Sequence, residues 1–172
     1  PQQRTQLFAL DLYRHQSGWT VRDKIRNLLQ ATRLESPVGP LGDASDFSLS
    51  RHYVAFTAKD PDAPPAWHTR QHIYLVPLDG HAPPKRISLA ENRGWAGTPA
   101  ISPNEDMVLF LQQYKDGFES DRKVLQAYLM EEGQQVEIFP EWDMSPDTLS
   151  FSSDGRTLYA VVPEDEQRKV YA

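Results

Sequence analysis

The sequence feature that most restricts the fold is a pattern that recurs about every fifty residues. A serine closes a short apolar segment at Ser50, Ser102 and Ser152, which are 52 and 50 residues apart. A turn and a second apolar segment follow each serine, and these segments are Tyr53-Val54-Ala55-Phe56, Met107-Val108-Leu109-Phe110 and Leu158-Tyr159-Ala160-Val161. Short apolar segments separated by polar turns are typical of strands, so the repeat predicts antiparallel meanders.

Each repeat also contains a third apolar segment, found at Ile73–Leu75, Leu125–Ala127 and Val170–Tyr171. Near the amino end of the chain, Leu7–Ala9 resembles the same segment of a preceding unit. A repeat of about fifty residues with four antiparallel strands is typical of a β-propeller blade, which buries both faces against its neighbours. We therefore predict an all-β fold, a partial β-propeller of about three four-stranded antiparallel blades. A β-sandwich with a chance periodicity is the alternative.

The blade limits can be assigned from the same repeat. Residues 1–172 are predicted to be one propeller segment, without a hydrolase domain. Within it, residues 1–34 would form the end of one blade and a connection, 43–90 and 97–140 two blades, and 145–172 an incomplete blade. Because propellers close with about four to eight blades, both ends of the chain are expected to fall inside a blade of a longer protein.

The first thirty residues are less regular than the repeats. Thr5–Leu12 has the composition of a strand, the residues from His15 to Gly18 suggest a turn, and Trp19–Val21 is a plausible partner strand. The segment Arg22–Gln30 has apolar residues at helical spacing, but it is short enough to be a continuing strand instead.

Composition excludes several functional classes. The net charge of −6 and the scattered Lys and Arg residues argue against a nucleic-acid partner. The absence of cysteine excludes disulfides and thiolate zinc sites, and no apolar run is long enough for a membrane span. His68 and His72 have the spacing of a helical metal pair, but they lie between a proline-rich loop and a strand. We therefore expect no metal, no cofactor and no membrane association.

Catalytic residues are not apparent in the sequence. Serine acyl transfer needs a nucleophile on a sharp turn, normally in a G-x-S-x-G motif, and the chain has no such motif. Ser17, Ser45 and Ser153 lie in polar segments that are better explained as turns. Whether this chain belongs to an enzyme is therefore uncertain from the residues alone.

Four segments in a fixed order carry a more specific signal. They are ESPVGPLGDASDFSLS (Glu35–Ser50), HIYLVPLDG (His72–Gly80), ESDRKVLQAYL (Glu119–Leu129) and WDMSPDTLSFSSDGRTLYAV (Trp142–Val161). Together they resemble the propeller of the fungal dipeptidyl-peptidase V family, serine peptidases of the prolyl oligopeptidase clan. The resemblance implies a secreted protein that removes dipeptides from short peptides, and a following α/β-hydrolase domain that supplies a Ser-Asp-His triad.

The polar loop Tyr114–Arg122, YKDGFESDR, is the best candidate for substrate contact. A dipeptidyl-peptidase must hold the charged free amine of its substrate, and desolvated carboxylates can do so. Glu119 and Asp121 are therefore candidate substrate-binding residues, and Arg122 could orient them or bind substrate carbonyl oxygens. The alternative is that Asp121 and Arg122 form a pair that fixes the loop against its own blade.

Two functions from different classes are consistent with the sequence. The first is the propeller segment of a serine dipeptidyl-peptidase, which frames and gates the active site of a hydrolase domain in the same parent chain. The second is a non-catalytic propeller module of the TolB type that binds a protein partner. A G-x-S-x-G motif in sequence beyond residue 172 would favour the first.

Overall fold

In the computed structural model, the described residues are 4–21, 25–62 and 67–172. They form strands, turns and a short 3-10 helix at Ala44–Asp46, with no α-helix in these ranges. The strands are β1 (Phe8–Ala9), β2 (Leu12–His15), β3 (Gly18–Val21), β4 (Arg26–Asn27), β5 (Phe47–Leu49), β6 (Tyr53–Lys59), β7 (Gln71–Pro77), β8 (Lys85–Arg86), β9 (Ala96–Ile101), β10 (Met107–Gln112), β11 (Val124–Leu129), β12 (Gln134–Glu137), β13 (Thr148–Phe151), β14 (Leu158–Glu164) and β15 (Gln167–Tyr171).

Three antiparallel sheets follow one another along the chain. Their strand orders are β5-β6-β7-β8, β9-β10-β11-β12 and β13-β14-β15, so each strand pairs with the next in sequence. This connectivity is that of propeller blades, and the sheets do not close into a ring. The all-β, partial-propeller prediction is confirmed. The residue limits that we assigned to individual blades stay a prediction.

The central strand of the first four-stranded sheet is buried on both faces. In β6, Val54 and Phe56 join a cluster that includes Leu29, from the first part of the chain. Ala55, which points to the opposite face, joins a cluster that includes Phe110 of the next sheet. This explains why the apolar run in β6 is nearly continuous instead of alternating.

The next sheet repeats the arrangement. Val108 and Phe110 in β10 pack toward the preceding sheet, whereas Leu109 and Leu111 pack in a cluster that includes Leu149 of the following sheet. The hydrophobic core therefore lies in the seams between the sheets. Each seam holds two neighbouring sheets in a fixed relation, so loops at the sheet ends are brought together.

The strand prediction for the amino-terminal region is wrong in detail. The strand predicted over Thr5–Leu12 is interrupted: β1 pairs with β4, and a separate hairpin joins β2 to β3. His15 pairs with Gly18 across a two-residue turn, and this tight turn fixes the hairpin register, so that Trp19 pairs with Arg14. An ion pair from Asp11 to Arg26, at 2.8 Å between oxygen and nitrogen, links the segment between β1 and β2 to β4.

The helical alternative for Arg22–Gln30 is also wrong over its described part. Arg26–Asn27 is a strand, and a turn follows it; residues 22–24 lie outside the described ranges. In contrast, the apolar runs predict strands over Met107–Gln112 and Val124–Leu129, and β10 and β11 have these bounds. The alternation of apolar and polar residues predicts a strand over Lys85–Ala90. In the structure this strand ends at Arg86, where the N–H groups of Ile87 and Ser88 both approach the carbonyl oxygen of Ile73.

The strands of each sheet have their ends on two opposite sides of the molecule. We call the side that contains the turns after Ser50, Ser102 and Ser152 the serine rim. The other side contains the β6–β7 loop, described at 60–62 and 67–70, and the β10–β11 loop at 113–123; we call it the loop rim. Because β6 and β10 each run from one rim to the other, the two loops of the loop rim lie on the same side of neighbouring sheets.

Candidate functional site

The serine rim consists of turns with satisfied polar groups. In each turn the serine hydroxyl oxygen accepts a hydrogen bond from the main-chain N–H of a residue at the start of the next strand or directly before it. The three donors and acceptors are Tyr53 to Ser50 at 3.1 Å, Met107 to Ser102 at 3.0 Å and Thr157 to Ser152 at 3.0 Å. The repeated serine is therefore a structural residue that closes the turn, and it is not a nucleophile.

A side-chain contact joins the first two turns of the serine rim. The carboxylate of Glu105 accepts a hydrogen bond from the main-chain N–H of His52 at 2.7 Å, and its other oxygen lies 2.7 Å from His52 Nδ1. Burial raises the pKa of Glu105, but hydrogen bonds from Ser50 and His52 outweigh it, and the pKa falls to about 2. The two-residue turn after Ser50 is thus held by the neighbouring sheet.

The β10–β11 loop on the loop rim is stabilised by hydrogen bonds between its own residues. The side-chain amide of Gln113 donates to the main-chain oxygens of Glu119, at 2.8 Å, and Asp121, at 2.6 Å. One carboxylate oxygen of Asp121 accepts the main-chain N–H groups of Tyr114 and Lys115, both at 3.0 Å. Burial raises the pKa of Asp121, but these main-chain donors more than offset that effect and lower it below its ordinary value.

The side chain of Arg122 also has a structural role, since it binds main-chain carbonyl oxygens. Its Nη1 donates to the carbonyl oxygen of Trp142 at 2.9 Å and approaches that of Pro140 at 3.4 Å. The alternative of a side-chain pair between Asp121 and Arg122 is not what the described structure shows, since each side chain has different partners. Both residues still fix the loop, Asp121 within it and Arg122 against the segment that precedes β13.

The two loops of the loop rim contact each other. Asp116 Oδ1 accepts the main-chain N–H of Thr69 at 2.9 Å, and Thr69 Oγ1 accepts the N–H of Gly117 at 2.9 Å. Arg70 Nε lies 3.4 Å from Asp116 Oδ2, close enough for an ion pair, without forming a hydrogen bond. The gap between the two loops is therefore bounded by fixed contacts.

A pocket of about 620 Å³ lies between these loops. We call it the interblade pocket, and its lining includes Lys59, Trp67, His68, Trp95, Glu119 and Lys123. The main chain of Glu119 is anchored, but its carboxylate makes no hydrogen bond or ion pair with the described residues. The carboxylate is thus available to a positively charged group in the pocket.

The structure separates the three predicted substrate-binding residues. Glu119 lines the interblade pocket, whereas the side chains of Asp121 and Arg122 are occupied by main-chain groups. Sequence reasoning did not identify Lys59, Trp67 or the other residues that the neighbouring sheet contributes. The available signal was only that two polar loops occupy equivalent places in successive repeats.

His68 and His72 do not act as a pair. His72 Nδ1 lies 3.3 Å from Ser88 Oγ inside the blade, and burial together with nearby positive charge lowers the pKa of His72 to about 4. In the described ranges, no three His, Cys, Asp or Glu side chains are grouped closely enough to hold a metal ion. The same ranges contain no helix long and apolar enough to cross a membrane.

The sheets, their buried seams and the interblade pocket define a partial β-propeller with a polar pocket on its loop rim. No family model matches the chain. The chain is 35% identical over 165 residues to a probable dipeptidyl-peptidase 5 of Aspergillus clavatus, an alignment that covers 90% of this chain and 23% of that protein.

Other fungal relatives give the same result. Dipeptidyl-peptidase 5 of Aspergillus fumigatus is 33% identical over 83% of this chain, and that of Trichophyton schoenleinii is 31% identical over 96%. These alignments cover 21% and 24% of the relatives, so the chain spans less than a quarter of their length. The resemblance drawn from the four sequence segments is confirmed over most of the chain.

Proposed function

We propose that this chain is the propeller segment of a serine dipeptidyl-peptidase and that it frames the active site of a hydrolase domain in the same parent chain. The names of the similar fungal proteins support a dipeptidyl-peptidase parent. Because the chain has no G-x-S-x-G motif, the catalytic serine would come from the hydrolase domain. The parent protein would be secreted and would act on short peptides.

The single observation that carries the site assignment is the carboxylate of Glu119. It lines a pocket whose walls are fixed by hydrogen bonds, and it has no partner among the described residues. Glu119 is exposed, so its carboxylate is accessible to the ammonium group of a peptide with a free amino end and can bind it through a charge-assisted hydrogen bond. Asp121 and Arg122 would support this site by fixing the loop that carries Glu119.

Substitution of Glu119 in the full-length protein tests the proposal. We expect Glu119→Gln to raise KM for a dipeptide substrate with a free amine about tenfold, with a smaller change in kcat, because the lost contact acts in binding. Glu132→Gln is the matched control, since Glu132 is an exposed carboxylate in the β11–β12 turn on the serine rim. Steady-state kinetics of both variants gives the comparison.

An unchanged KM in the Glu119→Gln variant would rule out amine binding at this pocket. A full-length protein without peptidase activity and without a nucleophile motif would instead support a non-catalytic module of the TolB type. The two outcomes are distinct, because the first concerns one residue and the second concerns the parent protein.

A further inference from the structure

A buried side-chain amide on the loop rim has an unused hydrogen-bond donor. Gln112, the last residue of β10, is only 2% exposed, and its Oε1 accepts a hydrogen bond from Gln135 Nε2 at 3.1 Å. Gln112 Nε2 has no partner among the described residues, and it is not one of the polar atoms that are fully enclosed without a partner. Buried polar groups nearly always have partners, so this accessible donor is available to a small molecule.

Neighbouring side chains fix which end of the Gln112 amide is the donor. The main-chain N–H of Leu89 donates to Gln135 Oε1 at 2.8 Å, so the nitrogen of Gln135 points the other way. That nitrogen donates to Gln112 Oε1 at 3.1 Å and to Gln126 Oε1 at 2.9 Å. Because the oxygen and nitrogen of an amide lie on opposite sides, Gln112 presents an NH₂ group on its unbonded side.

Gln112 lines a pocket of about 250 Å³, which we call the Gln112 pocket. Its other lining residues are Leu89, Glu91, Asn92, Arg93 and Tyr114, and none of them lines the interblade pocket. Since Gln112 is otherwise enclosed, this pocket is the space that its Nε2 reaches. Asn92 Oδ1 accepts the main-chain N–H of Gly94 at 3.2 Å, and this bond fixes the β8–β9 connection as one wall.

The charged side chains at the pocket indicate what it can bind. Arg93 and Glu91 are both exposed, and neither side chain has a hydrogen bond or ion pair with the described residues. The Gln112 NH₂ group and the Arg93 guanidinium are both donors, so together they suit a carboxylate. The Glu91 carboxylate suits an ammonium group. Leu89 and Tyr114, which are 43% and 50% exposed, offer apolar surface beside these groups.

We propose that the Gln112 pocket binds a free α-amino acid with an apolar side chain. Its carboxylate accepts hydrogen bonds from Gln112 Nε2 and Arg93, and its ammonium group contacts Glu91. The pocket volume is below the range of about 300–1,000 Å³ that is usual for drug-sized ligands, which suits a single amino acid. The inference does not rest on the proposed function, because Glu119 and the interblade pocket have no part in it.

Calorimetry of the full-length protein with three probes tests the ligand chemistry. L-Leucine carries both charges, L-leucinamide lacks the carboxylate, and 4-methylpentanoate lacks the ammonium group. We expect L-leucine to bind with a Kd of about 1 mM or lower, and each analogue to bind at least about tenfold more weakly. The inference is overturned if L-leucine shows no saturable binding up to about 10 mM, or if either analogue binds as tightly as L-leucine.

Substitutions in the pocket test the two donors. Arg93→Gln changes an exposed residue, and we expect it to weaken binding of L-leucine about tenfold and leave that of L-leucinamide unchanged. Arg156→Gln is the matched control, since it removes an exposed arginine on the serine rim and should bind L-leucine normally.

Gln112→Met keeps the length of the side chain but removes the donor, and we expect at least about fivefold weaker binding of L-leucine. This variant also loses the bond from Gln135, so its melting temperature is measured to establish that it is folded. If it does not fold, Arg93→Gln decides the question alone. Wild-type affinity for L-leucine in Arg93→Gln, or in folded Gln112→Met, is the result that overturns the inference.

Glu119→Gln separates this inference from the proposed function. Glu119 does not line the Gln112 pocket, so we expect this variant to bind L-leucine as wild type does. If Glu119→Gln weakens L-leucine while Arg93→Gln does not, the amino acid binds in the interblade pocket and the inference is wrong. If Arg93→Gln weakens L-leucine while Glu119→Gln leaves KM for peptides unchanged, amine binding at Glu119 fails and the inference stands.

Discussion

The serine rim and the loop rim lie at opposite ends of the same strands, but their polar side chains differ in whether they have hydrogen-bond partners. On the serine rim, the hydroxyls of Ser50, Ser102 and Ser152 all accept a main-chain N–H. On the loop rim, His68 is buried with both ring nitrogens unpaired, and the Glu119 carboxylate has no partner among the described residues. The first rim is complete by itself, whereas the second has unused bonding capacity.

The difference indicates that the two ends of a blade have different roles, one in stabilising the sheets and one in carrying side chains that line a pocket. Turns that repeat with the blade period stabilise the sheets, and they can recur because each satisfies its own hydrogen bonds. Loops that vary in length can hold side chains that the fold does not need. The β14–β15 connection at Asp165 and Glu166, both with positive φ, is a tight turn, so pockets are not a general property of the loop rim.

We expect the largest loss of stability when a serine hydrogen bond on the serine rim is removed. Ser102 is 1% exposed, and Ser102→Ala would leave the main-chain N–H of Met107 without its acceptor. We expect this substitution to reduce the free energy of unfolding by about 2 kcal/mol. Ser153→Ala is the control, since Ser153 is exposed, and it should have almost no effect. Thermal unfolding by calorimetry measures both; equal melting temperatures would show that the serine bond does not stabilise the turn.

We expect a smaller loss of stability when the hydrogen bonds that hold the β10–β11 loop on the loop rim are removed. Asp121→Ala removes the acceptor of two main-chain N–H groups, at Tyr114 and Lys115, and we expect a loss of about 1–2 kcal/mol. The amides of these two residues should exchange with solvent at least about tenfold faster, which hydrogen-exchange mass spectrometry detects. Asp143→Ala, at an exposed residue, is the control. Unchanged exchange would contradict the structural role of Asp121.

The smallest expected effect is a pH dependence on the serine rim. The pKa of Glu105 is about 2 in the folded protein, below its ordinary value of 4.5. Its contacts therefore add stability above pH 4.5, and the added stability is lost as the pH falls toward 2. Because His52 is largely exposed, we expect only about 1 kcal/mol.

Comparison with Glu105→Gln isolates this contribution from other carboxylates. In denaturant unfolding at pH 6 and pH 3, wild type should lose more stability than the variant over this interval. At pH 3 wild type should still keep part of its advantage over the variant, because the folded-state pKa of about 2 leaves Glu105 mostly ionised at that pH. Parallel losses in the two proteins would show that Glu105 does not titrate with a lowered pKa.

The blade repeat and the bounds of β10 and β11 could be predicted because they depend on local apolar patterns. The equivalence of Ser50, Ser102 and Ser152 was visible for the same reason, since each bond spans only a few residues. The register of the β2–β3 hairpin was not predicted, because it is set by the two-residue turn between His15 and Gly18, which the apolar pattern does not mark. Local signals thus gave the architecture of the repeats.

The candidate site was only partly predictable. The loop that carries Glu119 could be identified from its polarity and its resemblance to a known family. However, Asp121 and Arg122 are occupied by main-chain groups, and Arg122 finds its carbonyl partner twenty residues away, at Trp142. His68 comes from the neighbouring sheet, and no local pattern marks a buried imidazole without partners. These features depend on contacts between repeats.

The conformation of Glu105 has a consequence for assembly. It occupies the same place in its turn as Gly155 in the next, and both have positive φ, at 59° and 70°. A glycine would adopt this conformation without strain, but it could not reach His52. If similar blades joined in the wrong order, a turn with glycine at this position would not form the contact. The Glu105–His52 contact therefore favours one neighbour over another when the units associate.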